Sequence, residues 1–368
     1  MKKIAIVTNS SWYAWNMRLN LGYALQNQGH EVVFICPHDK YSENIKEHFK
    51  YFEIEINSNG INPLEDLKNL YGHYKIYKDI KPDVVLHYTI KPNIYGTIVA
   101  NLLNIPTINN ITGLGILFVK QSLVTKIAKW LYKVSQKKAT KIFFQNQDDF
   151  KLFADEGLIV QDKCDVLPGS GVDLEAFKPE EKVDDGVFRF LLASRILWEK
   201  GIKEFVEAAK IIKQKYPNVQ FQILGHLDIH NPSAISKEHM NIWVKDGYVS
   251  YLGSSDNVRI EISKADCIVL PSFYREGTPR ILLESASMAK PIITTNNVGC
   301  RDVVDDGING YLCEVRNVQD LASKMELMIN LPDKDRVSMG EAGREKMIAE
   351  FNEEIVINKY LESISEIL

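Results

Sequence analysis

The sequence predicts an α/β protein made of two doubly wound, parallel-sheet domains. Three observations carry this. Short apolar runs alternate with amphipathic stretches from the first residues onward; the alternation pauses once in a turn-rich, charged segment; and it then restarts in the same order. In the first half, Ile4–Val7, Val32–Cys36, Val84–His87, Thr107–Asn109 and Lys141–Phe144 read as buried strands. Between them Arg18–Gln28, Pro63–Ile80 and Asn93–Leu103 follow helical spacing, and Gly29 ends the first of these helices. The pause is Pro168-Gly-Ser-Gly-Val-Asp173 followed by Pro179–Gly186, read as a linker. In the second half, Phe188–Ala193, Gln220–Leu224, Tyr248–Leu252, Cys267–Leu270, Ile292–Thr295 and Gly310–Cys313 read as strands. Gly201–Tyr216, Val258–Lys264, Arg280–Ser287, Arg301–Val304 and Val318–Ile329 read as helices, and Asp335–Leu368 is almost wholly helical pattern. The expected domains are residues 1–178 and 186–345, with a final helix over 346–368.

Composition excludes several classes. The 368 residues are 45% hydrophobic and 25% charged, ordinary values for a globular chain with more than one core. Five cysteines without a CxxC pair argue against a disulfide framework and a zinc ribbon. Ile4–Val7 is too short for the apolar core of a signal peptide, and no run approaches the roughly 20 apolar residues of a membrane span. A cytoplasmic protein is expected. The net charge of −4 divides into +2 over residues 1–180 and −6 over 181–368, so no domain is basic enough to suggest nucleic acid as a partner.

The chemistry is expected at the ends of strands. The first turn, Thr8–Asn16, has no glycine, so it lacks the GxGxxG of dinucleotide binding, and GxxxxGK[ST] is also absent. Ser10 and Ser11 either hold a ligand at the helix N-terminus or merely cap it. The richest stretch is Pro271–Glu284, a strand end, a Gly277-Thr278-Pro279 turn and a helix start at Arg280. Glu276 and Glu284, eight positions apart, suit the vicinal hydroxyls of a sugar or ribose, and the helix N-terminus between them offers free N–H groups to a phosphate. The alternative for any such pair is solvated surface charge. A second stretch, Ala193–Gly201, places Arg195 and Lys200 near one pocket, where they suit phosphate, or alternatively a surface ion pair with Glu199. His226, just past Leu224-Gly225, is either a donor-side contact or a surface histidine; His230 and His239 follow without consistent ligand spacing. The one DxD, Asp333-Lys-Asp335, lies in a polar turn away from the strand ends, and no metal site is expected.

Leu117–Lys141 carries seven lysines and no acid. Leu123, Val124, Ile127, Leu131 and Val134 follow helical spacing and are expected to pack inward, while Lys126, Lys129, Lys133 and Lys137 form one stripe beside Trp130. That stripe is either a solvated face or a docking surface for an anionic membrane and a lipid-diphosphate substrate.

Ser194–Gly201, the Glu276…Glu284 pair and Gly171-Val-Asp173 resemble glycosyltransferase family 4 over essentially the whole chain. The resemblance implies a GT-B fold, two Rossmann-like domains facing a central cleft with the C-terminal helix crossing back to the first, and retaining transfer from a nucleotide sugar without an essential metal or cofactor. It implies that Glu284 holds the ribose, Glu276 lies at the donor sugar, Arg195 and Lys200 neutralise the diphosphate, and Gly277, Thr278 and Pro279 give backbone contacts. Ser11–Arg18 (with Asn16 and Arg18), Asn231-Pro-Ser233, Arg275-Glu-Gly277 and Thr112–Gly115 are similar to bacterial enzymes extending undecaprenyl-diphosphate-linked glycans, including N-acetylgalactosaminyltransferases. The implied partners are a UDP-sugar, a polyprenyl-diphosphate glycan and the inner membrane face. The chain departs from the family at Ser10-Ser11, where many members have Gly-Gly, and at Thr112-Gly113, where many have His-Gly; Thr112 or Asn110 is expected to substitute. A GT-B-fold sugar-nucleotide epimerase and a non-catalytic sugar-nucleotide binder are the alternatives.

Overall fold

A computed structural model describes residues 1–57, 62–114, 123–181, 185–227 and 231–368, the side chains of 123 and 124 excepted. The chain forms two compact units, Met1–Ser170 with Glu354–Leu368, and Gly171–Glu353.

In the first unit the order is β1 (Lys3–Val7), α1 (Ser11–Asn27), β2 (Glu31–Cys36), α2 (Ser42–Lys46), β3 (Lys50–Glu53), α3 (Pro63–Ile80), β4 (Val84–Tyr88), α4 (Thr97–Leu102), β5 (Thr107–Ile111), α5 (Leu123–Gln136), β6 (Lys141–Phe144), α6 (Gln147–Asp155) and β7 (Cys164–Val166). The seven strands described lie in the order β3-β2-β1-β4-β5-β6-β7, and every pairing is parallel. The alternation of side chains along β1 divides the core. Ile4 and Ile6 pack with Ala14, Leu21 and Leu25 of α1, whereas Ala5 and Val7 pack with Tyr77 and Ile80 of α3 and Val99 and Ala100 of α4. Both faces are buried, which is why the strands read as unbroken apolar runs. Local signals set the helix ends. Asn62 caps α3 by accepting from Leu64 N–H, Pro63 opens it, and Lys81 closes it in the left-handed conformation.

The second unit runs β8 (Arg189–Ala193), α7 (Ile202–Lys215), β9 (Gln220–Leu224), α8 (Lys237–Lys245), β10 (Ser250–Tyr251), α9 (Val258–Lys264), β11 (Cys267–Leu270), α10 (Arg280–Ser287), β12 (Ile292–Thr295), β13 (Gly310–Cys313), α11 (Val318–Asn330) and α12 (Asp333–Glu350). Its sheet, also parallel, has the order β10-β9-β8-β11-β12-β13. The last helix, α13 (Glu353–Ile367), returns to the first unit, where Val356, Tyr360 and Ile364 join the core under α1.

Several boundaries differ from those read in the sequence. The second unit starts at Gly171, because Val172 pairs with Asn352 and its N–H bonds the Phe351 carbonyl. Gly171 adopts φ 72°, and a Cβ there would stand 2.4 Å from the Glu353 Cα. Residues 346–353 belong to the second unit, since Met347 and Phe351 pack in its core, so the returning helix is shorter than 346–368. Arg301–Val304 is a turn rather than a helix, and the strand expected over Tyr248–Leu252 shortens to Ser250–Tyr251. The first helix begins at Ser11, seven residues earlier than Arg18. Asn93–Leu103 opens with a π-helical turn, Pro92–Gly96, in which a Cβ on Gly96 would stand 2.3 Å from His87 Nε2. Part of the linker, 182–184, and Gly115, Lys120 and His230 lie outside the described residues.

Candidate active site

The strand order of the second unit reverses between β8 and β11, and open α/β sheets bind ligands at such a switch point, beyond the strand C-termini. The loops leaving these two neighbouring strands are Ser194–Gly201 and Pro271–Pro279, the two stretches richest in candidate residues. They are stitched together. The Glu199 carbonyl accepts from the Phe273 and Tyr274 amides, at 2.9 and 3.1 Å, and from the Ser272 hydroxyl at 3.2 Å. Gly201 adopts φ 75°, and a Cβ on it would lie 2.0 Å from the Pro271 carbonyl oxygen, so only glycine closes this joint. Gly299, after β12, backs the other loop just as closely, 2.1 Å from the Gly277 oxygen by the same measure.

The joint brings Lys200 and Glu276 into a buried ion pair, each side chain about 10% exposed. Ser272 donates to the same Glu276 oxygen at 2.9 Å, and Lys200 Nζ lies 5.1 Å from the Tyr274 ring centre. The partner of Lys200 is therefore Glu276 across the joint, not Glu199 on the surface. Arg195 stays exposed on the same loop. Burial raises the Tyr274 hydroxyl pKa, with Arg195 opposing that shift.

Pro279 caps α10 without a side-chain hydrogen bond, and the first turn holds no acid. Its leading N–H groups therefore favour an anion. Glu284, on the same helix, is 8% exposed and accepts from Arg280 Nε at 2.5 Å. Burial raises its pKa, against the opposing pull of Arg280. Gly277, Thr278 and Pro279 are buried in the turn between the two glutamates. Gly225 lies under this edge, where a Cβ would collide with the Ser194 oxygen at 1.7 Å. His226 is exposed, while His239 stacks edge-on against Trp198 at 5.4 Å. Asp333 and Asp335 begin α12, where Asp333 pairs with Arg336. Among the described residues no group of three or more His, Cys, Asp or Glu is arranged to hold a metal. Sequence reasoning missed Ser272 and Tyr274; their position directly after a strand was the available signal.

In the first unit, Ser10 caps α1 by accepting from Tyr13 N–H at 3.1 Å. Ser11 is buried, donating to the Pro37 carbonyl at 2.7 Å and accepting from Ser42 at 2.9 Å. Both hydroxyls thus have internal partners. Asn16 bonds the Trp12 carbonyl, Thr112 is half-buried just past β5, and Arg18 is buried on the inward side of α1.

Helix α5 differs from its sequence reading. Ile127 and Val134 are exposed rather than packed inward, alongside Trp130, which is 61% exposed. The inward face is Ala128, Tyr132, Ser135 and Gln136, with Leu131 half-buried; Leu123 and Val124 lie outside the described side chains. Polar packing explains the inversion. Gln136 accepts from Asn109 at 2.7 Å, and Asn109 meets the buried His87 at 2.9 Å, so this face must stay polar to satisfy the sheet. Lys126, Lys133 and Lys137 are exposed, and Lys129 pairs with Glu156 at 2.6 Å. Among the described residues no helix is long and apolar enough to cross a membrane.

Comparison with known proteins matches this architecture unit by unit. Residues 3–146 match the family described as glycosyl transferase 4-like, and residues 173–346 match glycosyl transferases group 1. A Campylobacter jejuni N,N'-diacetylbacillosaminyl-diphospho-undecaprenol alpha-1,3-N-acetylgalactosaminyltransferase is 27% identical, covering 100% of this chain and 99% of its own. An Escherichia coli UDP-Gal:alpha-D-GlcNAc-diphosphoundecaprenol alpha-1,3-galactosyltransferase is 27% identical over 89% of this chain and 87% of its own. Among solved structures, a Rickettsia africae glycosyltransferase superposes with TM-score 0.80 at 21% identity, over 100% of this chain and 98% of that one. Anabaena HepE in complex with UDP-glucose gives TM-score 0.81 at 15% identity, covering both chains fully. The chain belongs to the GT-B-fold glycosyltransferases, with a glycosyl transferase 4-like first unit and a group 1 second unit.

Proposed function

We propose that this glycosyltransferase moves an N-acetylhexosamine, N-acetylgalactosamine in the first instance, from its UDP derivative to a polyprenyl-diphosphate-linked glycan, with retention at the anomeric carbon and without an essential metal. The observation that carries the reading is the joint at the β8/β11 switch point, where two neighbouring strand-end loops bring Lys200 and Glu276 together and the second leads into the N-terminus of α10. Donor cleavage builds negative charge on the leaving diphosphate, and cations and N–H groups held in place stabilise that charge without reorganising. Arg195, Lys200 and the α10 N-terminus fill this role. When Lys200 turns to the diphosphate, Glu276 is released to accept hydrogen bonds from the donor sugar. Glu284 accepts from the ribose hydroxyls. The full-length similarity to two enzymes named for undecaprenyl-diphosphate acceptors supports the acceptor class.

Such an acceptor stays in the bilayer, so the enzyme works at the cytoplasmic membrane face. The exposed side of α5 suits that task. Ile127, Trp130 and Val134 offer an apolar strip, and Lys126, Lys133 and Lys137 flank it. Each lysine near an anionic surface contributes on the order of 1 kcal/mol, decaying within the Debye length.

The test incubates UDP-N-acetyl[14C]galactosamine with the protein in EDTA, with and without undecaprenyl-diphosphate glycan in anionic vesicles. Label entering the lipid only when acceptor is present supports the reading. Isomerised sugar nucleotide would indicate an epimerase, and binding without turnover a non-catalytic module. Activity abolished by EDTA and restored by magnesium would overturn metal independence. Changing Lys126, Lys133 and Lys137 to Glu should abolish vesicle binding while UDP affinity is kept; unchanged binding would make α5 a merely solvated face.

A further inference from the structure

The loop that carries Glu276 is gripped from outside the joint as well as within it. Beyond the Glu199 carbonyl, the end of β12 holds its backbone: Thr295 Oγ1 donates to the Ser272 carbonyl at 2.5 Å, and Asn297 Nδ2 to the Tyr274 carbonyl at 3.0 Å. Between these two anchored residues stands Phe273, half-buried, whose N–H is one of the two on Glu199. Its ring is covered from one strand further along the sheet. Arg316, after β13, places its guanidinium carbon 4.1 Å from the Phe273 ring centre.

Two features set this contact apart from a chance surface stack. The first is the backbone. Arg316 is the third residue of a turn that the Asn317 N–H closes on the Glu314 carbonyl at 3.3 Å, and it holds φ 60°. A left-handed third position ordinarily takes glycine or asparagine, so arginine keeps strain there without any gain to the turn itself. The turn is tied down: Asn317 Nδ2 donates to Glu314 Oε2 at 2.8 Å, the Glu314 N–H to Asp320 Oδ2 at 2.7 Å, and Asn317 caps α11. The side chain thus leaves from a fixed root. The second feature is what the guanidinium does. It is exposed and makes no ion pair among the described residues, so the Phe273 ring is what orients it.

Resting on the proposed transferase reaction, in which Glu276 meets the donor sugar, we propose that Arg316 is a positioning residue that acts through Phe273. While Lys200 is tied to Glu276, the pair orients itself. Once Lys200 turns to the diphosphate, Ser272, which donates to Glu276 at 2.9 Å, remains on the carboxylate, and Ser272 is only as fixed as the backbone around Phe273. The stacked arginine holds that backbone and so keeps Glu276 at the sugar.

Arg316→Gly and Arg316→Asn remove the guanidinium while suiting the left-handed turn, so both keep the fold. Calorimetry titrates each full chain with UDP and with UDP-N-acetylgalactosamine. Both variants should bind UDP like the parent and the sugar nucleotide roughly fivefold or more weakly, because only the sugar meets Glu276. Amide-resolved hydrogen exchange at Phe273 and Tyr274 should run about tenfold or more faster than in the parent. Phe273→Leu should reproduce both effects, and adding Arg316→Gly to it should change neither further. Equal losses for the two ligands, unchanged affinities, unchanged exchange, or a second loss in the double variant overturns the proposal. A parent that binds the sugar nucleotide yet transfers nothing to lipid-linked glycans would defeat the transferase reaction, while the ratio of the two affinities still decides the role of Arg316. One that transfers, with that ratio unaltered in the variants, would do the reverse. A parent that fails to bind the sugar nucleotide overturns both.

Discussion

Replacing Glu276 by alanine separates structure from chemistry at the donor joint. In the parent, Lys200 and Glu276 are each about 10% exposed, and the ion pair satisfies both. Alanine leaves the Lys200 ammonium buried, with the Tyr274 ring its remaining partner among the described residues. Orphaning one member of a buried pair costs about 3–5 kcal/mol. For a unit of this size, each kcal/mol moves Tm by about 2–4 °C, so the second unit should melt roughly 6–20 °C lower. The double variant Lys200→Met, Glu276→Ala should recover most of the loss, because it leaves no charge unpaired. UDP should behave in the opposite sense. The parent must break the pair before Lys200 can meet a diphosphate, and Glu276→Ala need not. Scanning calorimetry with and without UDP should therefore show a larger ligand-induced rise in Tm for Glu276→Ala, with a UDP Kd no weaker than the parent's and turnover nearly abolished. An unchanged Tm, or a UDP affinity that falls in step with stability, would refute the argument.

Arg195→Ala, on an exposed side chain, should weaken UDP about tenfold and leave uridine unaffected; equal losses for both would remove Arg195 from the diphosphate site. Glu284→Ala should weaken UDP roughly 10- to 150-fold through lost charged hydrogen bonds, read by calorimetry. Because burial raises the Glu284 pKa, its folded carboxyl holds a proton more tightly than the unfolded one. Its contribution to stability is present below the ordinary glutamate range and lost as pH rises through the raised value, a dependence that Glu284→Gln should flatten in urea melts. In the first unit, burial pushes His73 down to about 4 and His87 down to about 3. The unfolded chain takes up those protons near pH 6.5, so stability should fall as pH drops from there through 4 and 3, by up to about 1.4 kcal/mol per pH unit for each histidine. A denaturation midpoint flat between pH 6.5 and 4 would contradict this.

Elements with strong local signals were legible in the sequence, and those set by distant partners were not. Pro63–Ile80 was readable to the residue because Asn62, Pro63 and the acidic first turn announce its start. Strands β3 and β7 were missed: Lys50–Glu53 and Cys164–Val166 are short edge strands whose burial is partial, so they carry no apolar run. The orientation of α5 was misread for a related reason. Hydrophobic spacing marks an apolar stripe without saying which way it points, and the buried partner of Gln136, Asn109, lies on another element. At the site, the residue types at the two strand ends were legible, but the pairing of Lys200 with Glu276 was not, because 76 positions separate them and the close approach rests on glycines, Gly201 and Gly299, on separate segments of the chain.

The return of α13 also governs the order in which the molecule can be made. The core beneath α1 includes Val356, Tyr360 and Ile364, so the first unit, otherwise made by Ser170, cannot close until about 190 further residues have been added. Gly171–Glu353 is continuous and can collapse as soon as it leaves the ribosome. At about 5–20 residues per second, the first unit waits on the order of ten to forty seconds with the part of its sheet that α13 covers left bare beside α1. During synthesis, the half made first is thus the last to fold, and its open face is what a nascent-chain chaperone would meet.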